Sequence, residues 1–100
     1  MEKRTPHCPL ARVKALVASE TIRATKTATI GAASLGFSEA DMFQVVSALE
    51  MKDFYKSMTT HADHKVWQDV YKPSTVVGVI YLKLTVENDV LIVSFKESES

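Results

Sequence analysis

The sequence predicts an α+β fold in which N-terminal helices pack on one face of a C-terminal antiparallel β-sheet. Two observations support this prediction. In the first half of the chain apolar residues recur at helical spacing, whereas after Asp53 apolar and polar residues alternate with a period of two. The alternating half contains four runs rich in Val, Ile, Thr, Tyr and Phe, separated by short segments typical of hairpin loops. With 100 residues, the chain is expected to form a single domain, 1–100.

Two helices are indicated in the first half of the chain. The first follows Pro9, which suits a first helical turn, and its apolar residues lie along one face. The second follows Ser38, a preferred N-cap residue, and it also has one apolar face. Between them, residues 21–25 alternate like a strand, and residues 27–35 are compatible with a short helix that Gly36 ends.

The four strand runs are FYKSMTT, HKVWQDVY, VVGVIYLKLTV and DVLIVSFK. In the last two, a two-residue turn at Asn88 and Asp89 makes the numbers of opposite residues sum to about 177. The side that faces the helices then carries these pairs: Leu82 with Phe95, Leu84 with Val93, and Val86 with Leu91. On the other side of the sheet, Tyr81 is placed directly across from Lys96.

The earlier hairpins extend this second, polar side of the sheet. With a four-residue loop at 73–76, Gln68 lies opposite Tyr81, and a shorter loop puts it one diagonal away. A three-residue loop at 61–63 brings Lys56 opposite Gln68. The cluster expected on the side away from the helices is therefore Lys56, Gln68, Tyr81 and Lys96.

Composition argues against several classes of protein. Twelve basic and twelve acidic side chains give a formal net charge of zero, so overall charge does not favour a nucleic-acid partner. A single cysteine, Cys8, excludes an internal disulfide and fits a reducing, cytoplasmic setting. No apolar run is long enough to cross a membrane. The sequence Glu-Ser-Glu-Ser at 97–100 is expected to be a disordered acidic tail.

His61 and His64 form the main alternative site. They flank a predicted turn, and as a pair they could bind a metal ion or act as acid and base. Histidines in turns are usually just exposed, however. The sequence also contains neither a convincing set of zinc ligands nor a glycine-rich phosphate loop, so no cofactor is predicted.

Five sequence blocks, in order along the chain, resemble a known family. They are MEKRTPH at the start, DFYKSMTT at 53–60, WQDVY at 67–71, IYLKLTV at 80–86 and DVLIVSFK at 89–96. With these blocks the chain resembles the motility quorum-sensing regulator toxins, the RNA-cleaving partners of bacterial toxin–antitoxin pairs, which have a RelE-like fold. The resemblance implies that the active-site residues are Lys56, Gln68, Tyr81 and Lys96.

The resemblance also implies a function. Such a toxin is a metal-independent endoribonuclease that cleaves single-stranded mRNA at short GC-containing sequences and is inhibited by a zinc- and DNA-binding antitoxin. The antitoxin is expected to add a strand to an edge of the sheet, either at DVLIVSFK or at the opposite edge. Two interpretations compete with this one: a non-catalytic RNA- or protein-binding regulator that uses the same sheet face, and histidine chemistry at His61 and His64.

The expected chemistry is attack of a ribose 2′-hydroxyl on the adjacent phosphate, with departure of the 5′-oxygen. We expect Lys56 and Lys96 to hold the phosphate and Lys96 to donate the proton. Tyr81 is expected to orient the ribose or to share in proton transfer, and Gln68 to hydrogen-bond a phosphate or a base edge. Because nearby lysines repel one another, the pKa of each is expected to be lowered.

Overall fold

The computed structural model describes residues 1–98, and within that range the chain forms three α-helices and a seven-stranded sheet. The helices are α1 (Leu10–Ala18), α2 (Lys26–Ser34) and α3 (Glu39–Ser47), and a 3₁₀ turn spans Met51–Asp53. The strands are β1 (Glu2–Lys3), β2 (Ile22–Ala24), β3 (Phe54–Thr59), β4 (Trp67–Tyr71), β5 (Ser74–Thr75), β6 (Gly78–Val86) and β7 (Val90–Glu97). The predicted α+β class is confirmed.

The sheet has the strand order β1-β3-β4-β6-β7-β2, and β5 pairs with the start of β6. The pairings are antiparallel except that of β2 with β7, which is parallel. The helices cover one face of this sheet, and the core between them is closed by Val13 of α1, Ala28 and Ala32 of α2, Met42 and Val46 of α3, and Ile80, Leu82, Leu84, Ile92 and Phe95 of the sheet. The other face, which carries no helix, is called the open face below.

Local sequence explains where the helices begin. At α3, the Ser38 hydroxyl accepts a hydrogen bond from the backbone N–H of Asp41, and the Asp41 carboxylate accepts one from the N–H of Ser38. These bonds satisfy two N–H groups that would otherwise lack partners, and they hold the pKa of the Asp41 carboxyl below its ordinary value. Gly31 lets α2 approach β7 closely, because a Cβ at that position would overlap the carbonyl oxygen of Phe95.

The final hairpin differs from prediction near its turn. The predicted pairs Tyr81 with Lys96 and Leu82 with Phe95 are confirmed, but Leu84 pairs with Ile92 instead of Val93. Because Val86 pairs with Val90, the turn has three residues and shifts the register by one. An irregularity at Lys83/Leu84, opposite Val93, restores the predicted register toward the end of the strand.

Two further expectations are corrected by the sheet. The segment DVLIVSFK is not an edge strand, because β2 pairs along Val90–Ile92; the edges are β1 and β2. The disordered tail was predicted to begin at residue 97, but Glu97 pairs with Ile80 and the N–H of Ser98 donates a hydrogen bond to the carbonyl of Val79. Residues 99–100 lie outside the described residues. The helices found within residues 1–98 are too short and too polar for any one of them to cross a bilayer.

Candidate functional site

The open face carries side chains in three rows across β3, β4, β6 and β7. The middle row is Lys56, Val70, Lys83 and Ser94, which are paired in that order from strand to strand. On one side lies a row with Tyr81 and Lys96. On the other side lies a row with Met58, which pairs with Gln68. The period-two alternation of the strands places these side chains on one face, since Asp69, Leu82, Leu84 and Phe95, which alternate with them, are buried on the other.

Tyr81 and Lys96 meet on the open face. Their Cα atoms are directly paired, and the Lys96 Nζ lies 5.3 Å from the centroid of the Tyr81 ring. The Lys83 Nζ lies 5.8 Å from the same centroid. Two ammonium groups therefore lie near one phenol, an arrangement that can hold an anionic group and pass protons to or from it.

Lys56 is anchored by the N-terminal strand. Its Nζ donates a hydrogen bond to the Glu2 carboxylate of β1, 54 residues away in the sequence. This bond raises the pKa of Lys56 above its ordinary value and lowers the pKa of Glu2. The expectation that the pKa of Lys56 is lowered is therefore wrong, because the bond to the Glu2 carboxylate outweighs the effect of burial.

Lys83 belongs to the same face but is absent from the predicted site. It lies beside Val70, whose side chain has no exposed surface although it is on the open face. Lys56 and Lys83 flank Val70 on the neighbouring strands, so their aliphatic stems must help to cover its side chain. Burial of Lys83, together with the charges of Lys96 and Lys56, lowers its pKa. Strand alternation already placed Lys83 on this face, but nothing in the pattern distinguished it from a solvated lysine.

Tyr55 is a second residue that the sequence interpretation missed. Its ring is 39% exposed and lies 4.0 Å from the Lys72 Nζ, measured from the ring centroid. The Lys56 Nζ and the Arg4 guanidinium lie 5.4 and 5.9 Å from that centroid. The strand register shifts at Tyr55, which places its side chain among these cations.

Gln68 is not opposite Tyr81, contrary to prediction. Val76 and Val77 form the loop of the hairpin, so Tyr71 pairs with Leu82. The Asp69–Leu84 pair then places Gln68 level with Thr85, four residues or about 13 Å along the strand from Tyr81. Lys56 pairs with Val70, not with Gln68. Gln68 shares the open face with the lysines, one row away from Lys56 and Lys83.

A separate polar cluster lies on the helix-facing side of β4. The Asp69 side chain is 3% exposed and accepts hydrogen bonds from the backbone N–H groups of His7 and Cys8 and from the Ser57 hydroxyl. The His7 ring stacks on Trp67 at 5.2 Å between centroids. These contacts fasten the chain that follows β1 to the sheet, and so they help to hold Glu2 beside Lys56.

His61 and His64 are exposed in the loop between β3 and β4, beyond the row of Met58 and Gln68. Both lie beside Met1 and Thr59, at the end of the sheet away from Tyr81 and Lys96. Across residues 1–98, no three His, Cys, Asp or Glu side chains come together in a way that could hold a metal ion.

Comparison with known proteins relates the chain to one family. Residues 5–97 match the profile of a family described as "Motility quorum-sensing regulator, toxin of MqsA". The chain is also 55% identical over 97 residues to a protein of Escherichia coli (strain K12) named "mRNA interferase toxin MqsR", and the match covers 97% of this chain and 99% of that protein.

Proposed function

Because the chain belongs to the motility quorum-sensing regulator toxin family, we propose that it is an mRNA interferase, a toxin that cleaves mRNA in the cytoplasm. The observation that supports this most directly is the concentration of positive charge on the open face. The cations there are Arg4, Lys56, Lys72, Lys83 and Lys96, in a chain whose formal net charge is zero.

Such a surface suits a phosphodiester backbone. Local positive potential attracts polyanions even when overall charge does not. The exposed ring of Tyr55 offers a face on which an unstacked base can lie, as single-stranded RNA requires. The substrate we propose is single-stranded mRNA, cut at short GC-containing sequences, because a duplex would hide its bases and hold its backbone away from in-line attack.

The proposed reaction needs no metal ion. The 2′-oxygen forms a bond to phosphorus, the bond from phosphorus to the 5′-oxygen breaks, and the products are a 2′,3′-cyclic phosphate and a 5′-hydroxyl. Lys56 and Lys96 bind the scissile phosphate and neutralise the charge that develops on its oxygens. Tyr81 orients the attacking ribose. Gln68, one row away, contacts a base or phosphate of the neighbouring nucleotide.

We also propose a zinc- and DNA-binding antitoxin that inhibits the toxin by adding a strand to one of the two edges, β1 or β2. Pairing at β1 would act on the site directly, because β1 carries Glu2, the partner of Lys56. Proline substitution tests the two edges separately, at Lys3 for β1 and at Arg23 for β2, since proline removes a backbone N–H donor. If neither substitution weakens the complex, strand addition is not the mode of binding.

The test is cleavage of a defined single-stranded RNA in excess EDTA. Wild-type protein is expected to give cyclic-phosphate ends, and Lys56→Ala, Tyr81→Ala and Lys96→Ala to lose the activity. Lys26→Ala, which removes an exposed lysine on α2, is the matched control and should cleave normally. Binding without cleavage by wild-type protein would instead support a non-catalytic regulator. Loss of cleavage in His64→Ala alone would move the site to the histidines.

A further inference from the structure

The three lysines around Tyr81 lie in different environments. Lys56 is bonded to a carboxylate at the first edge of the sheet, and Lys96 is exposed near the end of β7. Lys83 lies between them, on a central strand that is flanked by β4 and β7. Its stem borders the fully buried Val70, which limits the positions that its amine can take.

We propose that Lys83 is the general acid of the reaction, the group that protonates the departing 5′-oxygen. This inference rests on the proposed ribonuclease function and replaces Lys96 in that role. Lys83 is placed for it because its Nζ lies on the same Tyr81 ring as that of Lys96, in the row that contains Lys56. A phosphate held by the two outer lysines therefore lies within reach of the central one.

The surroundings of Lys83 favour release of its proton. The titratable groups that face it are Lys56 of β3, bonded to Glu2 of β1, Tyr81 on its own strand and Lys96 of β7. Apart from Glu2, these groups are cations or a phenol. Burial and the charges of Lys96 and Lys56 lower the pKa of Lys83, whereas Glu2 raises that of Lys56. Neighbouring groups with pKa values displaced in opposite directions commonly divide the acid and charge-stabilising roles.

The proton balance of the step is simple. The Lys83 ammonium transfers one proton to the 5′-oxygen as its bond to phosphorus breaks, and the neutral amine that remains recovers a proton from water before the next cycle. The proton of the 2′-hydroxyl leaves separately, to solvent or through Tyr81. No oxidant, reductant or metal ion takes part.

The experiment uses two single-stranded RNA oligonucleotides of one sequence, one with an ordinary phosphodiester at the cut site and one with sulfur in place of the 5′-oxygen. A thiolate leaves without protonation, because thiols have pKa values of about 8.5. We expect Lys83→Met to lower the cleavage rate of the oxygen substrate by about 10²- to 10³-fold, in line with general acid catalysis, and to restore near-wild-type rates on the sulfur substrate. Lys26→Met should change neither rate.

Lys83→Arg separates proton transfer from charge. Arginine stays protonated at any ordinary pH, so it keeps the cation but cannot act as the acid, and its rate on the oxygen substrate should stay as low as that of Lys83→Met. Full activity of Lys83→Arg, or equal defects of Lys83→Met on both substrates, would overturn the proposal and leave Lys83 as a phosphate-binding cation. A wild-type protein that cleaves neither substrate would instead overturn the ribonuclease function itself.

Discussion

Two polar clusters lie on opposite faces of β4 and its neighbours, and they differ in how their charge is balanced. On the helix side, the Asp69 carboxylate is enclosed by three donors from the chain itself, two of them backbone N–H groups. On the open face, the ammonium groups lie near aromatic rings. Within residues 1–98, the carboxylate that forms an ion pair with one of them is that of Glu2.

The difference separates a cluster with a structural role from the cluster that we propose to be functional. Asp69 has its hydrogen bonds complete, so the cluster fixes the N-terminal segment and needs nothing further. The lysine face has excess positive charge, which lowers stability by self-repulsion and which a bound anion would neutralise, in keeping with the proposed function. Neither conclusion is visible in the net charge of zero.

The largest expected effect comes from removing a cation of the open face. Lys96→Ala should lower the cleavage rate by about 10²- to 10³-fold, as expected when an electrostatic contact to the transition state is lost. Its free energy of unfolding should change by less than about 1 kcal/mol, because Lys96 is exposed. Cleavage kinetics and urea denaturation on the same preparation measure both, and His64→Ala should change neither.

Removing the buried carboxylate should instead lower the free energy of unfolding. Asp69→Ala leaves the N–H of Cys8 without its acceptor and the N–H of His7 with the Ser57 hydroxyl alone, and we expect a loss of about 3 kcal/mol in the free energy of unfolding. Asp69→Asn keeps one acceptor oxygen and should lose less. Urea denaturation measures both values. If Asp69→Ala were as stable as wild type, the cluster would not be what fastens the N-terminal segment.

Glu2→Gln should sharpen the contrast by removing the carboxylate of the open face. We expect RNA binding to become about two- to fivefold tighter at low salt, because Lys56 then keeps its full charge for phosphate, and solvent screening keeps the effect of an exposed ion pair small. The pKa of Glu2 is lowered, so the carboxylate is charged at neutral pH and loses its charge only as the pH falls below the ordinary glutamate range. Binding curves of variant and wild type, measured by fluorescence anisotropy, should therefore converge at the acid end.

The smallest expected effect is the change in the free energy of unfolding when Lys83 is replaced. Its pKa is lower in the folded state than in the unfolded state, so the unfolded chain holds the proton more tightly, and wild-type stability rises as the pH increases through that interval. At pH 7 Lys83→Met should be more stable than wild type by about 0.5 kcal/mol, a modest gain because solvent screens a half-buried amine. The gain should shrink toward alkaline pH; urea denaturation at several pH values measures it.

Periodicity alone predicted much of this structure. The alternation in β6 and β7 placed Tyr81 across from Lys96, because burial of Leu82 and Phe95 allows no other face for them. Ser38 and the apolar face behind it likewise predicted α3. In both cases the signal lies within one element or one hairpin.

What the sequence did not predict depends on contacts between distant segments or on the details of turns. The position of Gln68 was wrong because the turn falls at Val76–Val77, where no strong turn signal other than Gly78 marks it. The predicted direction of the Lys56 pKa shift was wrong because Glu2 reaches Lys56 from β1, a strand of two residues with no periodic pattern to reveal it. Strand alternation placed Lys83 on the open face, but it did not distinguish Lys83 from a solvated lysine.

The irregularity opposite Val93 has a consequence for how the hairpin tolerates change. It divides β7 into two independently specified parts: burial of Val90 and Ile92 fixes the part near the turn, and burial of Phe95 fixes the part that carries Lys96. A turn that is longer or shorter by one residue can be absorbed at that point. A one-residue insertion or deletion at residues 87–89 should therefore leave Lys96 paired with Tyr81.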